Sequence, residues 1–446
     1  MLLIGCLSFL AACAPQPNTP PNVVLISMDT TRSDHCSVYG YARDTTPNLR
    51  RIAEQGARFD LTYAPTSTTG PSHASLFTSL YPMEHGVTKN GLSLDEGLTT
   101  LAEHLQKNGY QTAAVVSSFV LDKKFGFDQG FDSYDDEFDR STSKYRLREW
   151  EGHKIKRGFD RPGDEVTTRA LQWLDEDRER DKGFFLFLHY FDAHEPYSPP
   201  EPFLSRFTPE DASRQSLDFT IGRYDGGIAY ADHQIGIILK GLKKRRLHKN
   251  TIVIVIGDHG EGLLQHGYMH HGKQVYEESV RVPFLIQWPA QIPPGQTFSS
   301  PVELLDLAPT LYDLLQIDAT ELSLKGHNLA NALRGKEAYD APQRPIYLHR
   351  RHYDKGIFEN VQGEMFGLRK GDWKYINAPD EKGQELYNLR EDPDEHNNLV
   401  DAHPELTATL QQSLTAWREA NTAAPSEQSP LSDEDRKALE ALGYVE

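Results

Sequence analysis

Val23-Val24-Leu25-Ile26, an apolar run, leads within three residues to the carboxylate of Asp29. Two more runs do the same. Phe184-Phe185-Leu186-Phe187-Leu188 leads to Asp192 and His194, and Ile252-Val253-Ile254-Val255-Ile256 leads to Asp258 and His259. Unbroken apolarity over so few residues predicts strands covered on both faces. Helical patterns lie between them. Thr100-Leu101-Ala102-Glu103 reads as a capping box, with Leu101 and Leu105 one turn apart and Gly109 as the stop. Val166, Ala170, Trp173 and Leu174, then Ile235, Ile238 and Leu239, repeat the helical spacing ahead of the second and third runs. The alternation predicts an α/β fold around a large, mostly parallel sheet flanked by helices. In such sheets ligands gather beyond the carboxyl ends of the strands, where Asp29, Asp192 with His194, and Asp258 with His259 all fall. A buried Asp is rare unless paired or metal-bound, so a shared polar site is expected there rather than three helix caps.

Composition narrows the partners. With 446 residues and 38% hydrophobic content the chain can bury a substantial core. Lys+Arg 47 against Asp+Glu 65 gives a formal net charge of -18, which disfavours nucleic acid and anionic lipid. A small anionic substrate must then be met by a local cationic centre, which a bound metal ion supplies. Leu2 to Ala12 is apolar but too short to span a bilayer of about 30 Å. Leu10-Ala11-Ala12-Cys13 resembles a lipobox, although the usual positive n-region is missing. Export as a lipoprotein facing the periplasm or cell exterior is therefore expected, with a lipid anchor at Cys13 as its only attachment to a membrane. That leaves Cys36 as the single thiol and no intramolecular disulfide. The expected organisation is a signal peptide over 1–13, a tether over 14–21, a catalytic domain over 22–345, a C-terminal subdomain over 346–420 and a tail over 421–446. Phe366-Gly367-Leu368-Arg369 and Trp373-Lys374-Tyr375-Ile376 read as hairpin strands of the smaller α+β subdomain, and Arg436 to Leu442 as a short helix.

Eight blocks in order then resemble the sulfatase branch of the alkaline phosphatase superfamily. They include Asn22 to Ile26 with Asp29, Thr46-Pro47-Asn48-Leu49, Pro71-Ser72-His73 through His85-Gly86-Val87, and His194-Glu195-Pro196-Tyr197. Asp258-His259-Gly260-Glu261, Lys273 with Tyr276-Glu277-Glu278, Arg281-Val282-Pro283, and Glu385 to Leu389 with Asp392-Pro393 complete them. The resemblance implies an alkaline-phosphatase-like sheet and a divalent metal held by Asp29, Asp258, His259 and the nucleophile. Many sulfatases carry a second aspartate where this chain has Thr30, and the calcium-type enzymes an asparagine where it has His259. Both changes shift the expected ion from Ca²⁺ toward Zn²⁺ or Mn²⁺.

The nucleophile loop departs further. Family sulfatases place Cys or Ser, matured to formylglycine, two residues before the proline and Arg two residues after it; Thr69-Gly70-Pro71-Ser72-His73 has Thr69 and His73 there. Oxidising a threonine would leave a ketone, not an aldehyde. Val116-Ser117 stands where a glycine-lysine pair is usual, so two cations that hold sulfate are missing. Thr69-x-Pro-x-His73 resembles instead the nucleophile motif of nucleotide pyrophosphatase/phosphodiesterases, which implies attack by a metal-bound threonine oxygen. The other reading of Thr69 is a cap for a helix starting near Ser72. The resemblance further assigns His194 to the ester or its leaving oxygen, and Lys273 to the substrate anion, with His73 beside the nucleophile. Asp192 and His194 with His270 or His271 could complete a second metal site, and His266 could line the pocket. The expected activity is hydrolysis of a phosphoric or sulfuric ester by Thr69, with phosphoesters favoured. A sulfatase without formylglycine and a non-catalytic surface binding lipoprotein are the alternatives.

Overall fold

In a computed structural model that describes residues 20–421 apart from residue 146, the three apolar runs stand side by side at the centre of one sheet. Asn22–Met28 is flanked by Phe184–Tyr190 and Thr251–Gly257, parallel to both, with Val23 opposite Phe185 and Ile252. Gln111–Val115 and Ser133–Asp135 extend the sheet on one side, also parallel. On the other side Arg281–Gln287 runs antiparallel between Thr251–Gly257 and Ala57–Tyr63. Ala57–Tyr63 therefore points the same way as Asn22–Met28. Gln296–Phe298 and Val302–Glu303 pair parallel to its far edge.

Every residue of the three central strands is buried. Their side chains alternate between two cores: Val23, Leu25, Phe185, Phe187, Ile252 and Ile254 face one, and Val24, Ile26, Leu186, Leu188, Val253 and Val255 the other. Two covered faces explain why the runs show no polar alternation, and each such side chain contributes about 1.5–3 kcal/mol. Gly163–Glu176 and the 28-residue helix Leu217–Lys244 pack on the second face. Helix Leu101–Lys107 covers part of the first, and its start is the expected box. Glu103 N–H donates to the Thr100 hydroxyl at 3.1 Å while Thr100 N–H donates to the Glu103 carboxylate at 2.8 Å.

The C-terminal part is an antiparallel sheet of Ile346–Phe358, Val361–Lys370, Trp373–Ala378 and Gly383–Asn388, followed by helix Pro404–Asn421. The expected hairpin is the middle pair of strands. Lys374, fully buried, docks this sheet by pairing with Glu277 at 3.0 Å and Glu395 at 2.9 Å. Cys36 is buried with a free thiol. No helix among the described residues is long and apolar enough to cross a membrane. The signal peptide with Cys13, the tether up to residue 19 and the tail helix at Arg436 to Leu442 lie outside the described residues.

Candidate active site

Asp29 and Asp258 leave the ends of adjacent parallel strands, and the Asp258 carboxylate fixes the chain beyond both. Asp258 Oδ1 accepts the N–H of Thr30 at 3.0 Å and of His259 at 2.8 Å. Thr30 is held at φ 53, a left-handed conformation costly for a β-branched residue, and its carbonyl accepts the Tyr224 hydroxyl at 2.6 Å. Thr69 arrives from Ala57–Tyr63 as the first residue of helix Thr69–Thr78. Its hydroxyl does not cap that helix, which begins at Thr69 rather than near Ser72; Thr68 occupies the capping position. Thr69 Oγ1 instead lies 3.1 Å from His259 Nε2 and 3.5 Å from Asp29 Oδ2.

Asp29, Asp258 and His259 each offer a ligand atom, all within 4.8 Å of one another and buried. Asp29 Oδ1 and Asp258 Oδ2 have no hydrogen-bond partner. His259 Nδ1–H donates to the Gly260 carbonyl at 2.8 Å, which leaves the Nε2 lone pair facing the cluster. Burial pushes Asp29 up to about 6, and burial with the neighbouring Asp29 pushes Asp258 up to about 7. Burial pulls His259 down to about 4, so the imidazole is neutral at pH 7. Unpartnered buried carboxylate oxygens beside a neutral imidazole fit a divalent cation, since no hydrogen-bond donor meets Asp29 Oδ1 or Asp258 Oδ2 among the described residues.

Other expected residues lie differently. His73, expected among the catalytic groups, sits beneath the loop as a brace: Nδ1–H donates to the Thr69 carbonyl at 2.8 Å and Nε2 accepts from Ser27 Oγ at 2.9 Å. With both ring nitrogens engaged and no exposure, it is not positioned to touch an ester. Asp192 turns away as well. Its Oδ1 accepts the Gly163 N–H at 3.1 Å, at the start of helix Gly163–Glu176, and among the described residues no metal-capable group joins it to His194 or His271. Among the described residues these side chains do not gather into a second metal-binding group. His194 stacks on Phe191 at 4.0 Å and meets His271 edge-on at 4.8 Å, while His271 lies 4.7 Å from the His259 ring. Burial opposes charge on His271, but Glu261, Asp29 and Glu195 together hold it at about 9, hence protonated at neutral pH. Lys273 Nζ donates to the Met269 carbonyl at 2.9 Å and lies over Phe358. His266 leaves the site, bonding Glu278 and the Glu395 carbonyl at 2.9 and 3.1 Å. His270 pairs with Glu195 at 2.9 Å.

A family model described as Sulfatase matches residues 21–317, and one described as N-sulphoglucosamine sulphohydrolase, C-terminal, matches residues 265–420. The chain belongs to the sulfatase family. It is an ester hydrolase of that family, with the family's α/β fold and antiparallel C-terminal subdomain. Relatives of this sulfatase-family chain include an N-acetylglucosamine-6-O-sulfatase of Bacteroides thetaiotaomicron, 25% identical with 87% of this chain and 85% of that protein covered. An arylsulfatase of Clostridium perfringens is 27% identical, with 86% and 90% covered. The solved phosphonate monoester hydrolase of Agrobacterium radiobacter has a similar fold, with a TM-score of 0.74 at 24% identity over 93% of this chain and 98% of that one.

Two groups of this sulfatase-family site were not picked out from the sequence. His189 stands within the strand Phe184–Tyr190, opposite Ser27, and its Nε2 lies 3.0 Å from Asp29 Oδ2. Burial pulls it down to about 4, so it is a neutral donor that holds one Asp29 oxygen while the other stays open. The only signal was an imidazole inside an apolar run. Glu261, wholly buried, holds His271 at 3.3 Å. It lies in the Asp258-His259-Gly260-Glu261 block, where a buried carboxylate calls for a cationic partner. The assembled site offers a hydroxyl at a cation-binding cluster, faced by a protonated imidazole: the parts for displacement at an anionic ester.

Proposed function

We propose that this chain hydrolyses the ester of a small oxoacid, a sugar sulfate first among them, with the unmodified oxygen of Thr69 as nucleophile. The observation that carries it is the place of Thr69 Oγ1, at the mouth of the Asp29, Asp258 and His259 cluster. Those three residues and Thr69 would hold a divalent ion, which when bound lowers the pKa of a hydroxyl and offsets charge on the transferring group. Two carboxylates and an imidazole favour Zn²⁺ or Mn²⁺ over Ca²⁺. Asp29 Oδ2 takes the hydroxyl proton as Thr69 Oγ attacks. The leaving oxygen takes a proton from His271, which Glu261 holds charged and His194 flanks. Water then attacks the ester on Thr69, giving a proton to His271 while Asp29 returns its proton to Thr69 Oγ, which releases the acid and restores the hydroxyl and both side chains.

The sugar sulfate is placed first because the named relatives are mostly sulfatases, which reverses the preference for phosphoesters drawn from the nucleophile loop. Thr69 itself favours the second reading, a phosphoric or phosphonic ester. A sulfated threonine has no second hydroxyl on its carbon to expel sulfate, so its release needs a fresh attack at sulfur. Matched nitrophenyl sulfate, phosphate, phosphodiester and phosphonate substrates, assayed with metal analysis, separate the two. Fastest turnover of sulfate supports the first reading. Fastest turnover of a phosphorus ester moves the assignment to the second, and no turnover by stoichiometrically metallated protein defeats both.

A further inference from the structure

Two cations are missing, one from the nucleophile loop at His73 and one at Val116-Ser117, and two others, Lys89 and Arg351, come from elsewhere in the chain. Gly70 N–H donates to Asn90 Oδ1 at 2.7 Å, which places the segment carrying Lys89 against the first turn of the nucleophile helix. From the other side, Tyr353 of the C-terminal sheet donates its hydroxyl to the Gly272 carbonyl at 3.0 Å. A Cβ on Gly272 would meet that hydroxyl at 3.3 Å and Thr68 Oγ1 at 3.6 Å. Arg351 lies over the Tyr353 ring at 4.1 Å. Lys89 and Arg351 are half-buried, and neither has a hydrogen bond or ion pair among the described residues. The one carboxylate they share electrostatically is Glu151, whose Cβ lies 3.1 Å from where a Cβ on Gly91 would stand. Burial lowers the Lys89 pKa, with Glu151 opposing and Arg351 adding to the fall. Burial raises Glu151, against the pull of Arg351 and Lys89. Two half-buried cations within electrostatic reach of one carboxylate leave one positive charge in excess on a protein of net charge -18.

We propose that Lys89 and Arg351 form a second anion subsite beside Thr69, which takes a negatively charged substituent of the substrate other than the ester being cleaved. The proposal rests on the oxoacid-ester reading above and names the substrate class within it: an ester with a sulfate or carboxylate elsewhere on the same molecule. Arg351 supplies a planar fork suited to a carboxylate or sulfate, and Lys89 a point charge.

The test is calorimetric binding to metal-loaded Thr69→Ala protein, so that turnover does not enter. The probes are N-acetylglucosamine 6-sulfate and glucosamine 2-N,6-O-disulfate. The second sulfate is expected to tighten binding about tenfold, the scale of one charge-assisted pair. Lys89→Met and Arg351→Met should each remove most of that increment, Lys89→Arg should keep it, and Glu151→Gln should enlarge it. An increment absent from the parent, or undiminished in both methionine variants, overturns the subsite. Failure of the Thr69 reading appears separately, as turnover that survives Thr69→Ala.

Discussion

Thr69 contributes one oxygen to a cluster whose other donors come from Asp29, Asp258 and His259, so its removal separates chemistry from metal binding. Thr69→Ala is expected to lower kcat by about 10³-fold or more while stoichiometric metal is kept, and Thr69→Ser to retain part of the rate. Steady-state kinetics with elemental analysis checks both, and an unchanged rate would identify another nucleophile. The same cluster sets a pH dependence. Asp29 and Asp258 titrate at about 6 and about 7 in the folded metal-free protein, above the ordinary value of 3.8. Between those limits the folded state binds more protons than the unfolded one, so the pair's contribution to stability falls as pH rises from about 4 to 7. Zn²⁺ or Mn²⁺ should then raise Tm more at pH 8 than at pH 5, since the ion competes with those protons. Thermal melts with metal and with chelator measure this, and Asp29→Asn with Asp258→Asn should remove the difference.

The loop after strand Thr251–Gly257 carries Asp258, His259 and Glu261 in four residues, and it keeps its path by passing close to the backbone of helix Glu277–Val280. Gly260 N–H donates to the Ser279 carbonyl at 2.9 Å, and a Cβ on Gly260 would meet the Glu278 carbonyl oxygen at 2.0 Å. A clash with backbone cannot be relieved by a rotamer change. Gly260→Ala should therefore cost about 1–3 kcal/mol and displace His259 on one side of it and Glu261 on the other. Chelator competition is expected to show weaker metal binding by Gly260→Ala, beyond what the fall in Tm accounts for. Metal affinity equal to the parent's would mean that the loop is not held by this contact.

On the scale of the whole molecule, the C-terminal sheet is tied to the catalytic part by buried charge. Lys374→Met leaves Glu277 and Glu395 facing each other without their cation, and is expected to cost about 3–5 kcal/mol. Adding Glu277→Gln and Glu395→Gln should recover much of that loss, and thermal unfolding of the variants decides it. Attachment to a membrane is proposed through Cys13 alone, so Cys13→Ser should move the protein to the soluble fraction, and an unchanged membrane fraction would refute the anchor. The central strands were legible in the chain because a strand covered on both faces is apolar at every position, and the capping box because its bonds span only three residues. Asp29, Asp258 and His259 could be placed at one edge for the same reason, each following such a strand directly. What only the folded molecule decided were the directions of single side chains. His189 faces Asp29 because parallel pairing sets it opposite Ser27, whereas His73 braces the Thr69 loop from beneath and Asp192 turns to the Gly163 N–H. Asn90 and Tyr353, neighbours of Lys89 and Arg351, come to the start of the Thr69 helix across more than 250 positions of chain. Local spacing carries no information about such neighbours, since strand register and subdomain docking are set by the packing of the whole.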